Sequence, residues 1–242
     1  MKALKIQLIN VSIGYMSETI IEDLSLDIME GEFTGIFGPN GAGKTTLLCA
    51  VNGLARIPAG KVFINGEAFN ILNENALRRK IGYVPQHFEI DAKLPVISEE
   101  VILMGRYGKM GCLRFVGNVE KNLMRELASL LEINHLLRKP FGQLSGGEKK
   151  RVLIARALMQ EPEIMLLDEI FAWLDRDMAS SFTKAIRDVH KTKNLTTLIV
   201  SHNIETIYKL CSRVIWMEEG KIVFDGSRED FMKRIRIYDG LN

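Results

Sequence analysis

The segment GPNGAGKTT at 38–46 places Gly38, Gly43, Lys44 and Thr45 in the spacing G-x-x-x-x-G-K-[ST]. Glycines at such positions let the backbone turn tightly, so that successive N–H groups face phosphate oxygens. A helix starting there adds its positive end. Gly38, Pro39, Asn40, Gly41, Ala42, Gly43, Lys44, Thr45 and Thr46 together form a candidate phosphate cradle. Within it Lys44 can reach β- and γ-phosphates, and the Thr45 hydroxyl can ligate Mg²⁺. Holding the metal takes a second acidic element. Asp168 closes the apolar run IMLLD and is expected at the carboxyl end of a strand, where ligands bind in open α/β sheets. Glu169 follows at once, and two adjacent carboxylates suit a division of labour: Asp168 for metal-bound water, Glu169 as base or positioner of an attacking water. Taken singly, a glycine-rich turn and a pair of helix-start acids are commonplace. It is their order, with an apolar helix after the first and a buried strand before the second, that points to phosphoryl chemistry.

These groups need elements to position them. Apolar and polar residues alternate in LKIQLINVSI and IIEDLSLDI, so residues 3–35 read as strands punctuated by Gly14 and Gly31. FTGIF at 33–37 leads into the glycine-rich turn, and an apolar helical pattern runs through Thr45–Leu54. KVFING is a hairpin arm turned by Asn65-Gly66, and KIGYVPQ is a strand stopped by Pro85. From about Glu99 to Leu137 the pattern is helical, with Leu123, Leu127, Leu130 and Leu131 on one stripe. Helices are expected at 146–159 and about 177–192, strands at 164–168 and 196–201, and a closing hairpin at 214–226. Alternating strands and helices predict an α/β fold with a parallel-sheet core. The expected organisation is one domain: a core of about 1–93 and 140–242, an antiparallel β subdomain at its start, and an inserted helical subdomain of about 94–139.

Composition narrows the classes. The 242 residues are 47% hydrophobic and 26% charged, which excludes a disordered chain. No stretch reaches the ~18 apolar residues of a spanning helix, and the N-terminus lacks a signal-peptide core. Thirty-two Lys+Arg against 30 Asp+Glu give no electrostatic footprint for nucleic acid. Cys49, Cys112 and Cys211 are scattered and odd in number, pointing to a reducing compartment. His87, His135, His190 and His202 form no ligand pair at helical spacing, and the eleven methionines form no stripe.

LSGGE at 144–148 makes the assignment specific. Ser145 is a natural N-cap, Gly146 and Gly147 permit close backbone approach, and the free N–H groups of a helix start make a second anion site. With the phosphate loop before it and IMLLDE after it, the chain resembles the ATP-binding cassette (ABC) ATPases, and the resemblance spans essentially its whole length. It implies ATP and Mg²⁺ as ligands and a head-to-tail homodimer, in which Ser145, Gly146, Gly147 and Glu148 face the partner copy's nucleotide in place of an arginine finger. It further implies that Tyr15 stacks on adenine, that Gln86 in YVPQ senses Mg²⁺ and the attacking water, that His202 in IVSHN contacts the γ-phosphate, and that Asp175 crosses to the other subunit. Lys44, Gln86, Glu169 and His202 are then the expected catalytic set, and Thr45, Gln86 and Asp168 the metal ligands. Two residues depart from the family pattern: Ile170 stands where a proline is usual, and Trp173 where a small residue is common.

Within that family, no long insertion separates Lys44 from Ser145 and only one cassette is present, which argues against members acting on ribosomes or DNA. Glu169 and His202 argue against a non-hydrolysing switch. The stretch LPVISEEVILMGRYGKMGCLRF at 94–115 resembles the ATPase subunits of manganese and zinc importers; iron-chelate and vitamin B12 importers carry a shorter version of its G-R motif and are the alternative. Transmembrane permease subunits and an extracytoplasmic solute-binding protein are the implied partners, with this chain peripheral on the inner face of the cell membrane. This block would lie against the permease's cytoplasmic helix, with Gln86 reporting nucleotide state to it; the alternative for Arg106, Lys109 and Arg114 is a solvated loop, and no appended regulatory domain is expected after the final hairpin.

Overall fold

The structure is a computed structural model, which describes residues 3–15, 18–88, 94–110, 115–172 and 176–239. In chain order the strands are β1 (Leu4–Tyr15), β2 (Glu18–Met29), β3 (Phe33–Phe37), β4 (Ala59–Ile64), β5 (Glu67–Ala68), β6 (Ile81–Val84), β7 (Ile164–Asp168), β8 (Thr196–Val200), β9 (Arg213–Glu218) and β10 (Lys221–Ser227). The helices are α1 (Lys44–Val51), α2 (Glu74–Arg78), α3 (Ser98–Met104), α4 (Tyr107–Met110), α5 (Asn118–Leu130), α6 (Gly146–Leu158), α7 (Arg176–Thr192), α8 (Ile204–Leu210) and α9 (Arg228–Asp239). They fall into two compact units, Met1–Leu77 with Thr196–Asn242, and Arg78–Leu195.

The first unit holds an antiparallel sheet in the order β2-β1-β4-β5 and a second group in the order β10-β9-β3-β8. Leu8 lies opposite Leu26 on one side and Val62 on the other. The alternation read from the sequence is the burial pattern observed: Ile6, Leu8, Leu24, Leu26 and Ile28 point inward. Asn10 and Asp23 both adopt positive φ, and Asn10 Nδ2 donates to Asp23 Oδ1 at 2.8 Å, a paired irregularity that bends the two long strands. Asn65 and Gly66, at φ 53° and 78°, make the expected tight hairpin turn between β4 and β5. In the second group β3 runs parallel to both β8 and β9, and β3 and β8 are buried along nearly their whole length.

In the second unit β6 and β7 pair in parallel and carry helices α3 to α7. Every residue of β7 is buried, as IMLLD predicts. On α5 the stripe Met124, Leu127 and Ala128 is buried, with Leu131 just beyond it. The helical stretch expected from Glu99 to Leu137 is broken after α3. There Gly105 passes so close to α6 that a Cβ on it would stand 1.8 Å from the Arg156 carbonyl oxygen. Arg106 then turns inward, donating to the Met159 carbonyl at 3.2 Å and to Glu161.

Candidate active site

In the first unit the phosphate-loop residues leave the end of β3. Gly38 has φ 148°, and a Cβ there would lie 2.1 Å from the Met217 carbonyl oxygen, so glycine alone fits. Gly43, at φ 92°, is the N-cap of α1, which begins with Lys44. The Lys44 side chain is 6% exposed, and its Nζ donates to the carbonyls of Gly38 at 2.9 Å and Pro39 at 2.7 Å. The ammonium therefore sits over the loop. Thr45 is exposed at the first turn of α1, while Thr46 is buried. His202 follows β8, exposed, and the register Ile36 with Val200 puts the exits of β3 and β8 at one sheet end. The Ser201 N–H donates to the Ile36 carbonyl at 3.2 Å, which holds His202 at that end. Tyr15 is the last residue of β1, paired through its backbone with Glu18.

The second unit gathers a separate group of the expected residues. The register Val84 with Leu167 brings the exits of β6 and β7 side by side. Asp168, fully buried, is the last residue of β7, at the carboxyl end as expected. Glu169 then takes φ 44°, a left-handed conformation that costs a non-glycine residue roughly 1 kcal/mol and turns it out of the strand line. Gln86 Nε2 donates to Glu169 Oε2 at 3.3 Å. Beside them Lys150 of α6 donates to the carbonyls of Pro85, at 3.2 Å, and Gln86. Burial pulls the Lys150 ammonium below its ordinary range, and the negative charge of Asp168 opposes that shift. Ile170 is fully buried and Phe171 packs on Phe182 at 5.0 Å between ring centres, so the departure from proline at 170 serves the core.

Ser145 caps α6 as expected. Its Oγ accepts the Glu148 N–H at 3.3 Å while Glu148 accepts the Ser145 N–H at 2.8 Å, a reciprocal capping box. The Ser145 N–H is the main reason the Glu148 carboxyl lies below its usual range, against a smaller opposing effect of burial. Ser145, Gly147 and Glu148 open on a hollow of about 170 Å³ bounded by Arg151, Met178 and Phe182. Arg151 ties this helix to its surroundings, donating to the Leu131 carbonyl at 2.9 Å and to Ser181 Oγ at 2.6 Å.

In the sequence Lys149, Lys150 and Arg151 read as a basic helix start. Their signal was there: cations near a helix N-terminus oppose its dipole, so such a run implies tertiary partners. Arg106, in the block expected to meet the permease, is engaged by Met159, Glu161 and Glu120 with a side chain only 15% exposed. Lys109 reaches Glu161 at 3.5 Å. Cys112, Arg114, Trp173 and Asp175 lie outside the described residues.

The family profile described as ABC transporter matches residues 21–172. The manganese transport system ATP-binding protein MntB of Bacillus subtilis (strain 168) is 32% identical over 226 residues, 93% of this chain and 88% of that protein. The lipopolysaccharide export system ATP-binding protein LptB of Haemophilus influenzae is 37% identical over 229 residues, 92% of this chain and 90% of its own length. Among solved structures, the dimeric bacterial ABC transporter cassette MJ0796 superposes with a TM-score of 0.81 at 28% identity, covering 92% of this chain and 98% of that one.

Proposed function

The chain belongs to the ABC transporter family, whose ATP-binding domains hydrolyse ATP, and from that premise we propose that it powers a membrane importer of divalent metal ions of the manganese or zinc type. The observation that carries the catalytic part is Gln86 held 3.3 Å from a Glu169 that strained backbone turns out of β7, next to the buried Asp168. In this reading Lys44 and the loop amides of 38–46 bind the phosphates of ATP, Tyr15 stacks on adenine and His202 meets the γ-phosphate. Glu169 orients a water for attack on the γ-phosphorus and takes up its proton, while the bond to the β-phosphate oxygen breaks to leave ADP and inorganic phosphate. The hydroxyl of Thr45, the carboxylate of Asp168 and the amide of Gln86 are hard oxygen donors that suit Mg²⁺, and a buried carboxylate at a strand end favours a cation. Bound there with ATP, Mg²⁺ would neutralise developing phosphate charge.

Two copies would close on two nucleotides, with Ser145 and Gly147 of each acting on the other's ATP; the dimeric cassette named above is a precedent for that assembly. The metal-ion cargo is supported by the 94–115 stretch and by the name of the manganese relative, and LptB shows that near relatives serve other cargoes. Among the described residues no helix is long and apolar enough to cross a membrane. In this reading the permease subunits are separate chains, and this one sits against them at the cytoplasmic face.

Glu169→Gln tests the reading. ATP affinity is expected to stay within about threefold, turnover to fall at least ~100-fold, and ATP to trap a dimer by light scattering. Assembled with its permease in vesicles, the variant should stop manganese or zinc uptake. Steady hydrolysis near the wild-type rate would overturn the role of Glu169, and uptake of neither metal by the wild type would overturn the cargo class.

A further inference from the structure

Helix α6 grips the segment carrying Gln86 along its length. Gln160, just past the helix, donates from Nε2 to the Ile81 carbonyl at 3.2 Å. The Arg156 guanidinium lies over the Phe88 ring at 4.8 Å. Lys150, in the second turn, holds the carbonyls of Pro85 and Gln86. Those two carbonyls belong to the peptide planes on either side of Gln86, so they set its φ and ψ and with them the direction in which the side chain leaves. From that backbone Gln86 Nε2 reaches Glu169. A cation here works against the N-terminal dipole of its own helix and against partial burial. Its tertiary partners are what hold it in place, and they are the backbone of one expected catalytic residue and the charge of Asp168.

Resting on the reading of Gln86 and Glu169 above, we propose that Lys150 is a positioning residue for ATP hydrolysis, fixing the backbone around Gln86 and so the placement of Gln86 against Glu169. The same helix is capped by Ser145 and begins at Gly146.

The test is steady-state ATPase kinetics on the full chain with Mg·ATP, alongside thermal melting. Lys150→Met keeps the apolar stem and removes the donors. The expected result is a fall in kcat of about tenfold, the scale of one charge-assisted hydrogen bond, with the KM for ATP within about twofold. In a Gln86→Ala background the same substitution is expected to change kcat by less than about twofold, because the group being positioned is gone. Lys150→Arg, which can still donate to both carbonyls, is expected to recover most of the rate. Equal losses in both backgrounds would mean a purely structural role and overturn the proposal, as would an unchanged kcat. If Lys150→Met melts below the assay temperature, Lys150→Gln is read by the same two-background comparison. An active Glu169→Gln enzyme would remove the premise itself; an inactive one beside an unaffected Lys150→Met would remove only Lys150.

Discussion

Glu148 couples helix stability to the candidate anion site through one pair of hydrogen bonds. Its carboxylate accepts the Ser145 N–H, and Ser145 Oγ accepts its N–H in return. Because that contact holds the folded carboxyl below its ordinary 4.5, its contribution is complete above pH 4.5 and is lost as pH falls through the lower folded value. Glu148→Ala is therefore expected to cost about 1 kcal/mol in urea unfolding at pH 7, the worth of a helix cap. The gap to wild type should narrow on acidification below pH 4.5. A gap that is constant across that range would mean the carboxylate is not what caps α6. The cap was legible in the sequence because S-x-x-E before an apolar run carries its own local chemistry. The left-handed turn at Glu169 was not, since nothing in the side-chain order D-E announces φ 44°. Lys150 was visible only as part of a charge run, because its partners Pro85 and Gln86 are distant in sequence.

At the scale of elements, the same contrast separates local from long-range information. The strand IMLLD appears as β7 residue for residue, and the Asn65-Gly66 turn forms where its dipeptide demands it. Periodicity and turn chemistry are properties of adjacent residues, so they can be read directly. The break between α3 and α4 comes from elsewhere. Gly105 lets α3 end against the backbone of α6, and Arg106 uses the turn to bind Met159 and Glu161. Gly105→Ala would push a Cβ to within 1.8 Å of the Arg156 carbonyl oxygen, a backbone atom that cannot swing aside. The expected cost is about 3 kcal/mol, at the upper end for overpacking, read as a lowered urea midpoint at an unchanged slope. A loss under about 0.5 kcal/mol would show that α3 does not rest on α6 through this glycine.

For the whole molecule, the balance of 32 basic and 30 acidic residues offers no field to attract a cation from solution. The proposed Mg²⁺ donors are one carboxylate, one hydroxyl and one amide. That set leaves most of a hard ion's coordination to phosphate oxygens and water. Metal binding should then follow ATP rather than precede it, even if manganese or zinc is the cargo. Thermal melting separates the cases. Mg·ATP at about 100 times its Kd should raise the melting temperature of Glu169→Gln by about 5–10 °C, from mass action and the unfolding entropy of a chain this size. Manganese or zinc alone, without nucleotide, should shift it by no more than about 1 °C. A rise with zinc alone comparable to that with Mg·ATP would place a cargo site on this chain, and the proposed division, with metal recognised by the permease and its binding protein and energy supplied here, would fall.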